Sequence, residues 1–155
     1  MKLMEEIAMN RLLSTIEIAA INAKGRHWLV AGPGFDSAHT LLDKVWSTLL
    51  NGADKVAETI RTLSGVPEWD SEVWAKNSYV ALDKSISSLE SRNNAEEFLR
   101  ATRDELNRII ALIHEEIGTG EVDPTFESDL TAFTSELRHH ILFLDGTIKD
   151  WEYAE

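Results

Sequence analysis

The 155-residue sequence predicts an all-α fold: a bundle of four long helices with one long crossover between the second and the third. Three observations predict it. Apolar residues recur at helical spacing through four segments. Breaker and cap residues stand at the segment ends. Two of the three connections are short, and the middle one is long. With 43% hydrophobic residues and enough length to bury a sizeable core, one domain over residues 1–155 is expected.

The first helix carries Leu3, Ile7, Met9, Leu13, Ile16, Ala20 and Ala23 as a stripe and ends near Gly32. "GPGFD" at 32–36 is a turn, and Asp36 or Ser37 is expected to cap the next helix. That second helix runs from about Ser37 to Leu63 and stops at "SG", residues 64–65. Residues 66–93 are less regular, with Pro67 at their start and a short helix expected within "EVWAKNSYVALDKS". Asn94 is the expected cap of the third helix, with Glu97 three residues on. Its stripe is Phe98, Thr102, Leu106, Ile109, Ile110, Ile113 and Ile117, and Gly118 and Gly120 stop it. Asp123 caps the fourth helix, with Pro124 at the first helical position. Phe126, Leu130, Phe133, Leu137, Ile141, Leu144 and Ile148 form its stripe. Helices of this kind are roughly 36–42 Å long. The central connection of about 28 residues can cross the whole bundle, and one crossover between two tight hairpins is the ferritin-like arrangement.

Several function classes are excluded by composition. There is no cysteine, so disulfides, thiolate metal sites and thiol catalysis are absent. The start, "MKLMEEIAMNRLL", has acids where a signal peptide has its apolar core. No apolar run reaches the roughly 18 residues of a membrane span. A cytoplasmic protein with no membrane partner is expected. The net charge is −12, and the fifteen lysines and arginines form no cluster along the chain, which disfavours binding to nucleic-acid phosphates. An acidic surface concentrates cations, although it also serves solubility alone.

The residues suited to chemistry gather on the second helix. His39 and Asp43 are four apart, as are Asp54 and Glu58, so each pair shares a face. The pairs are separated by a rotation of about 60° but by about 22 Å along the axis. One ion cannot touch both pairs of one straight helix. His27, before the turn, packs beside His39 and Asp43 if the two helices are antiparallel. A two-fold axis near Leu49 to Gly52 then brings the two ends of neighbouring copies together. Each of two identical sites would hold two histidines and three carboxylates, which points to an intersubunit iron site. Singly, each residue is more often plain surface polarity; the spacing of the set is the signal. A di-iron site inside one subunit would want two Glu-x-x-His motifs. Only Glu136–His139 fits, with Asp36-x-x-His39 a weaker stand-in, and surface or core polarity accounts for His114, His139 and His140.

The pattern His27, His39, Asp43, Asp54, Glu58 resembles the ferroxidase signature of the Dps family, the dodecameric mini-ferritins. "HW" at 27–28, the G-P-x-F turn at 32–35, "DKVAETIRTLSGVP" at 54–67 and "SDLTAFTSELRHHILFL" late in the chain carry it further. The resemblance implies that His27, His39 and Asp43 come from one subunit, and Asp54 and Glu58 from its two-fold mate. It implies Fe(II) oxidation, preferentially with hydrogen peroxide, and storage of ferric mineral in a hollow twelve-subunit shell that protects against oxidative damage. Zinc is a competing ion for the same ligands. Trp28 would be a redox neighbour of the site, with packing as its plainer role. Asp123 and Asp129 would line an iron-entry pore, although helix capping explains Asp123 equally well.

Some of the text departs from the family. Neither "MKLMEEIAMN" nor "KDWEYAE" is the basic tail by which some members bind DNA. An architectural DNA-binding Dps with secondary iron chemistry is therefore the alternative reading. Lys44, Ser47 and Thr48 stand where many relatives have acids, and Trp69 and Trp74 in "EWDSEVWAKNS" could pack on an interface or cap the bundle.

Overall fold

A computed structural model describes residues 1–88 and 93–154. It contains five α-helices, α1 (Leu3–Leu29), α2 (Phe35–Thr62), α3 (Ser71–Asn77), α4 (Ala95–Gly118) and α5 (Pro124–Ala154), with a 3₁₀ turn at Lys84–Ser87. No strand occurs among the described residues. The four long helices form the bundle: α1 lies along α2, α4 along α5, and each hairpin packs on the other. The short α3 belongs to the crossover, as expected, and the 3₁₀ turn lies there too. Residues 89–92, at its far end, lie outside the described residues.

The helix boundaries follow the sequence closely, but two caps do not. Gly34 is the N-cap of α2, with φ +82° and no side-chain cap bond, so Asp36 falls in the first helical turn instead. Glycine is required there twice over. The left-handed conformation disfavours a side chain, and an added Cβ would lie 2.5 Å from the Trp151 ring of α5. At the start of α4, Asn94 makes no cap bond. Its side chain accepts from the Ala31 amide at 2.8 Å and donates to the Leu29 carbonyl at 3.0 Å. A buried Asn94 thereby ties the end of α1 to the start of α4. Asp123 does cap α5, accepting from Thr125 N at 2.9 Å.

The stripes of α4 and α5 are buried apart from the half-buried Ile117 and Ile141. On α1 the stripe departs from expectation, because Leu3 and Ile7 are exposed while Leu12, Ile18, Ser14, Thr15 and Asn22 are buried. This helix touches α2, α3, α4 and the 3₁₀ turn, so nearly its whole circumference is covered. A helix surrounded in this way has no polar face to display. Thr15 and Asn22 bind the crossover instead, while Ser14 donates to the Asn10 carbonyl of its own helix. Thr15 accepts from Tyr79 N, and Asn22 bonds both the Ala81 carbonyl and the Asp83 amide. In the same crossover Trp69 is 82% exposed, while half-buried Trp74 donates its indole N–H to the Glu68 carbonyl.

Candidate metal centre

The α1–α2 turn brings His27, in the last turn of α1, against His39, in the second turn of α2. Their rings stack with centroids 3.9 Å apart and planes 20° off parallel. Each ring bonds the other's backbone: His27 Nδ1 donates to the His39 carbonyl at 2.8 Å, and His39 Nδ1 to the His27 carbonyl at 2.9 Å. A carbonyl oxygen can only accept, so both Nδ1 atoms carry the hydrogen. In the neutral rings both Nε2 atoms are therefore bare lone pairs, the tautomer that a metal ligand needs. Asp43 joins them, with Oδ1 3.9 Å from His27 Nε2.

Aromatic rings wall this cluster. Phe35 stacks on His39 at 5.1 Å, and Trp46 stands 6.2 Å from His27. Trp28 is one ring further out, 6.5 Å from Trp46, 64% exposed, and covered on one side by the Lys24 ammonium. Trp46 is thus a tryptophan whose ring pairs with His27. It lies seven residues after His39 on the same helical face, and that spacing was the signal available for it.

Asp54 and Glu58 are exposed, beyond reach of the histidines along α2. Asp54 has a companion that sequence reasoning missed: Glu17 of α1. Burial, and then the charge of Asp54, push the Glu17 carboxyl above its ordinary range. A lone acid in the otherwise buried run "STIEIAAINA" was its trace in the sequence. Among the described residues of one chain, no three His, Asp or Glu side chains converge as a metal cage. His27, His39 and Asp43 lie at one end of α2, and the carboxylate pair lies about 22 Å further along it.

Behind His27, Arg26 is 1% exposed and supports the end of α1. Its guanidinium donates to both Glu105 oxygens, at 2.7 and 2.8 Å, to Asp83 at 2.8 Å and to Thr102 at 3.1 Å. Burial keeps the Glu105 carboxyl above its ordinary range despite the arginine. Burial also acts to raise Asp83, but hydrogen bonds from Ser85 and Arg26 outweigh it and hold that carboxyl low.

The remaining candidates have local partners. Asp123 is the α5 cap described above, and Asp129 faces Lys55 Nζ at 3.5 Å beside a cavity of about 150 Å³. His140 bonds Thr48 Oγ1 through Nε2 at 2.7 Å, and burial, His139 and Lys44 hold it below the usual histidine range. His139 packs edge-on against Phe143. His114 is exposed.

A family model for the ferritin-like domain matches residues 7–154. An uncharacterized protein of Haemophilus influenzae is 28% identical over 104 residues, 66% of this chain and 65% of that protein, so the likeness spans just under two thirds of the relative's length. Among solved structures, a dodecameric thioferritin of Bacteroides fragilis, described as bacterioferritin-related, superposes with a TM-score of 0.85. It is 18% identical, over 96% of this chain and 86% of that one. Dps from Mycobacterium smegmatis gives a TM-score of 0.79 at 25% identity, over 90% of this chain and 83% of that one.

Proposed function

This chain belongs to the ferritin-like family, and from that premise we propose that it is a Dps-type mini-ferritin whose iron-oxidising site is shared between two subunits. His27, His39 and Asp43 of one subunit bind Fe(II) together with Asp54 and Glu58 of the partner subunit. Imidazole nitrogen and carboxylate oxygen suit that ion. The observation that carries this reading is the reciprocal Nδ1-to-carbonyl lock, which turns both Nε2 lone pairs into ready ligands. Solvated surface histidines have no need of such a lock.

The oxidant is hydrogen peroxide. One peroxide molecule takes one electron from each of two Fe(II) ions, and its O–O bond breaks to leave two hydroxide-level oxygens. The ferric product hydrolyses and is stored as mineral inside a cytoplasmic shell of twelve subunits, so that peroxide and Fe(II) are removed together. Asp129 is the better of the two acids for an entry pore, because its only partner is the exposed Lys55 ammonium at 3.5 Å among the described residues, whereas Asp123 is fixed in capping α5. Zinc competes for the same nitrogen and oxygen ligands. The net charge of −12 weighs against DNA as a partner.

Subunit mixing tests the shared site. A His27→Ala/His39→Ala chain and an Asp54→Ala/Glu58→Ala chain are each expected to be inactive. After dissociation and reassembly, their mixture should regain part of the ferric absorbance produced by Fe(II) and peroxide. Mixed dimers without recovered activity would refute the proposal, as would a stable monomer in solution.

A further inference from the structure

A groove of about 490 Å³ runs between α4 and residues 79–84 of the crossover, and nothing above uses it. Tyr79 stands at its edge with two guanidinium groups against its ring, Arg11 at 5.4 Å and Arg108 at 5.3 Å from the centroid. Arg11 Nη1 also donates to the Tyr79 hydroxyl at 2.9 Å. Neither Arg11 nor Arg108 is ion-paired among the described residues. The acids near the groove share two other cations: Asp104 and Asp145 pair with Arg103, and Asp83 and Glu105 with Arg26. With Lys84 in the groove wall, five cations stand against four carboxylates here, so a chain of net charge −12 carries a small positive excess at this spot.

Two more features point the same way. Arg26 lines the groove from below, and its Nε, fully buried, has no hydrogen-bond partner. The wall opposite α4 is held in place, because Tyr79 N, the Ala81 carbonyl and Asp83 N are all bonded to α1 side chains.

We propose that this groove binds a small anion bearing phosphate or carboxylate groups, with Arg108 in its lining and Arg11 at its Tyr79 edge as the principal donors. Guanidinium forks match both kinds of oxyanion in a bidentate way. A small anion fits better than a polymer, because the acidic remainder of the surface repels a long polyanion. This inference stands apart from the iron reading.

Calorimetric titration of the iron-free protein at low salt tests it, with inorganic pyrophosphate and tricarballylate as probes for the two oxyanion classes. Saturable binding of at least one probe at one site per chain is expected. Arg108→Gln and Arg11→Gln should each weaken it roughly tenfold, which corresponds to about 1.4 kcal/mol. Lys149→Gln, an exposed cation on α5, should leave it unchanged, and circular dichroism of each variant separates lost binding from lost folding. Arg108→Lys, which keeps charge but not the fork, should retain part of the affinity. The proposal is overturned if neither probe saturates, or if Lys149→Gln weakens binding as much as Arg108→Gln does. Tighter binding of a DNA duplex than of either probe, through the same arginines, would overturn the small-anion assignment.

Discussion

Replacing Arg26 by methionine keeps most of the side-chain volume and removes the charge on which two carboxylates depend. Glu105 and Asp83 are 14% and 22% exposed, so neither can recover full hydration when the guanidinium is gone. Breaking a buried ion pair from one side costs about 3–5 kcal/mol. Asp83 keeps its Ser85 bonds and Glu105 keeps its bond from Asn22, which places this case at the lower end, about 3 kcal/mol. For a chain of this size that corresponds to a fall in melting temperature of roughly 6–12 °C. The pH dependence identifies the cause. Glu105 titrates above its unfolded value because it is buried, so its ionised form weakens the fold at neutral pH and its protonated form does not. Without Arg26 that carboxyl rises further. The gap between Arg26→Met and the parent should therefore narrow as pH falls through the Glu105 range. Asp83 acts in the same direction: in the parent its pairing contributes stability above the unfolded aspartate pKa, and this is lost in acid. Urea unfolding followed by circular dichroism, at fixed protein concentration and several pH values, measures the gap. A gap that stays constant with pH would refute the charge argument and leave packing as the cause. Adding Glu105→Leu to Arg26→Met should recover part of the loss, because the stranded charge is then removed as well.

Other substitutions probe the packing and the site. Gly52→Ala puts a Cβ 2.3 Å from the Phe133 ring. The gain in helix propensity of about 1 kcal/mol is outweighed by overpacking of about 1–3 kcal/mol, so a lower urea midpoint is expected. A higher midpoint would show that Phe133 moves aside freely. Asn94→Ala strands the Ala31 amide and the Leu29 carbonyl and should cost about 1–3 kcal/mol. Because the same bonds hold the end of α1, Co(II) affinity at the histidines should fall with it, and unchanged affinity would separate the two. His27→Ala removes a ligand nitrogen and the ring stacked on His39, while His39 Nδ1 keeps the residue-27 carbonyl as its acceptor, so the Co(II) affinity should fall by more than Asp43→Asn lowers it. Equal losses in a direct titration would mean that the stacked His27 ring adds nothing beyond a single ligand atom.

The two hairpins and the crossover could be read from the chain because they are local properties. The stripes of α4 and α5, the Asp123–Pro124 start and the Ser64–Gly65 stop are written in neighbouring residues. Caps were less legible where a distant group competes for the cap position. Asn94 has the right side chain for a cap, yet the chain end at Leu29–Ala31 takes both of its polar atoms. At Gly34 the Trp151 ring closes against the backbone, so the helix begins at Phe35 and Asp36 is left inside it. Trp28 stands next to His27 in the sequence, but it is the ring of Trp46 that lies 6.2 Å from His27, because successive side chains on a helix point about 100° apart.

From the amino-acid order alone came the residue types, their helical spacing, and the 22 Å that separates the two halves of the candidate site along one helix. Those quantities depend on helix rise and rotation, which every α-helix shares. The histidine tautomers, the neighbour at Asp54 and the small positive excess around Arg11 and Arg108 were decided by tertiary structure. Each is a matter of which group lies within a few ångströms of another after α1, α4 and the crossover have packed. Hydrogen bonding and charge compensation act at that range, and residues 11, 79 and 108 come within it only in the folded chain.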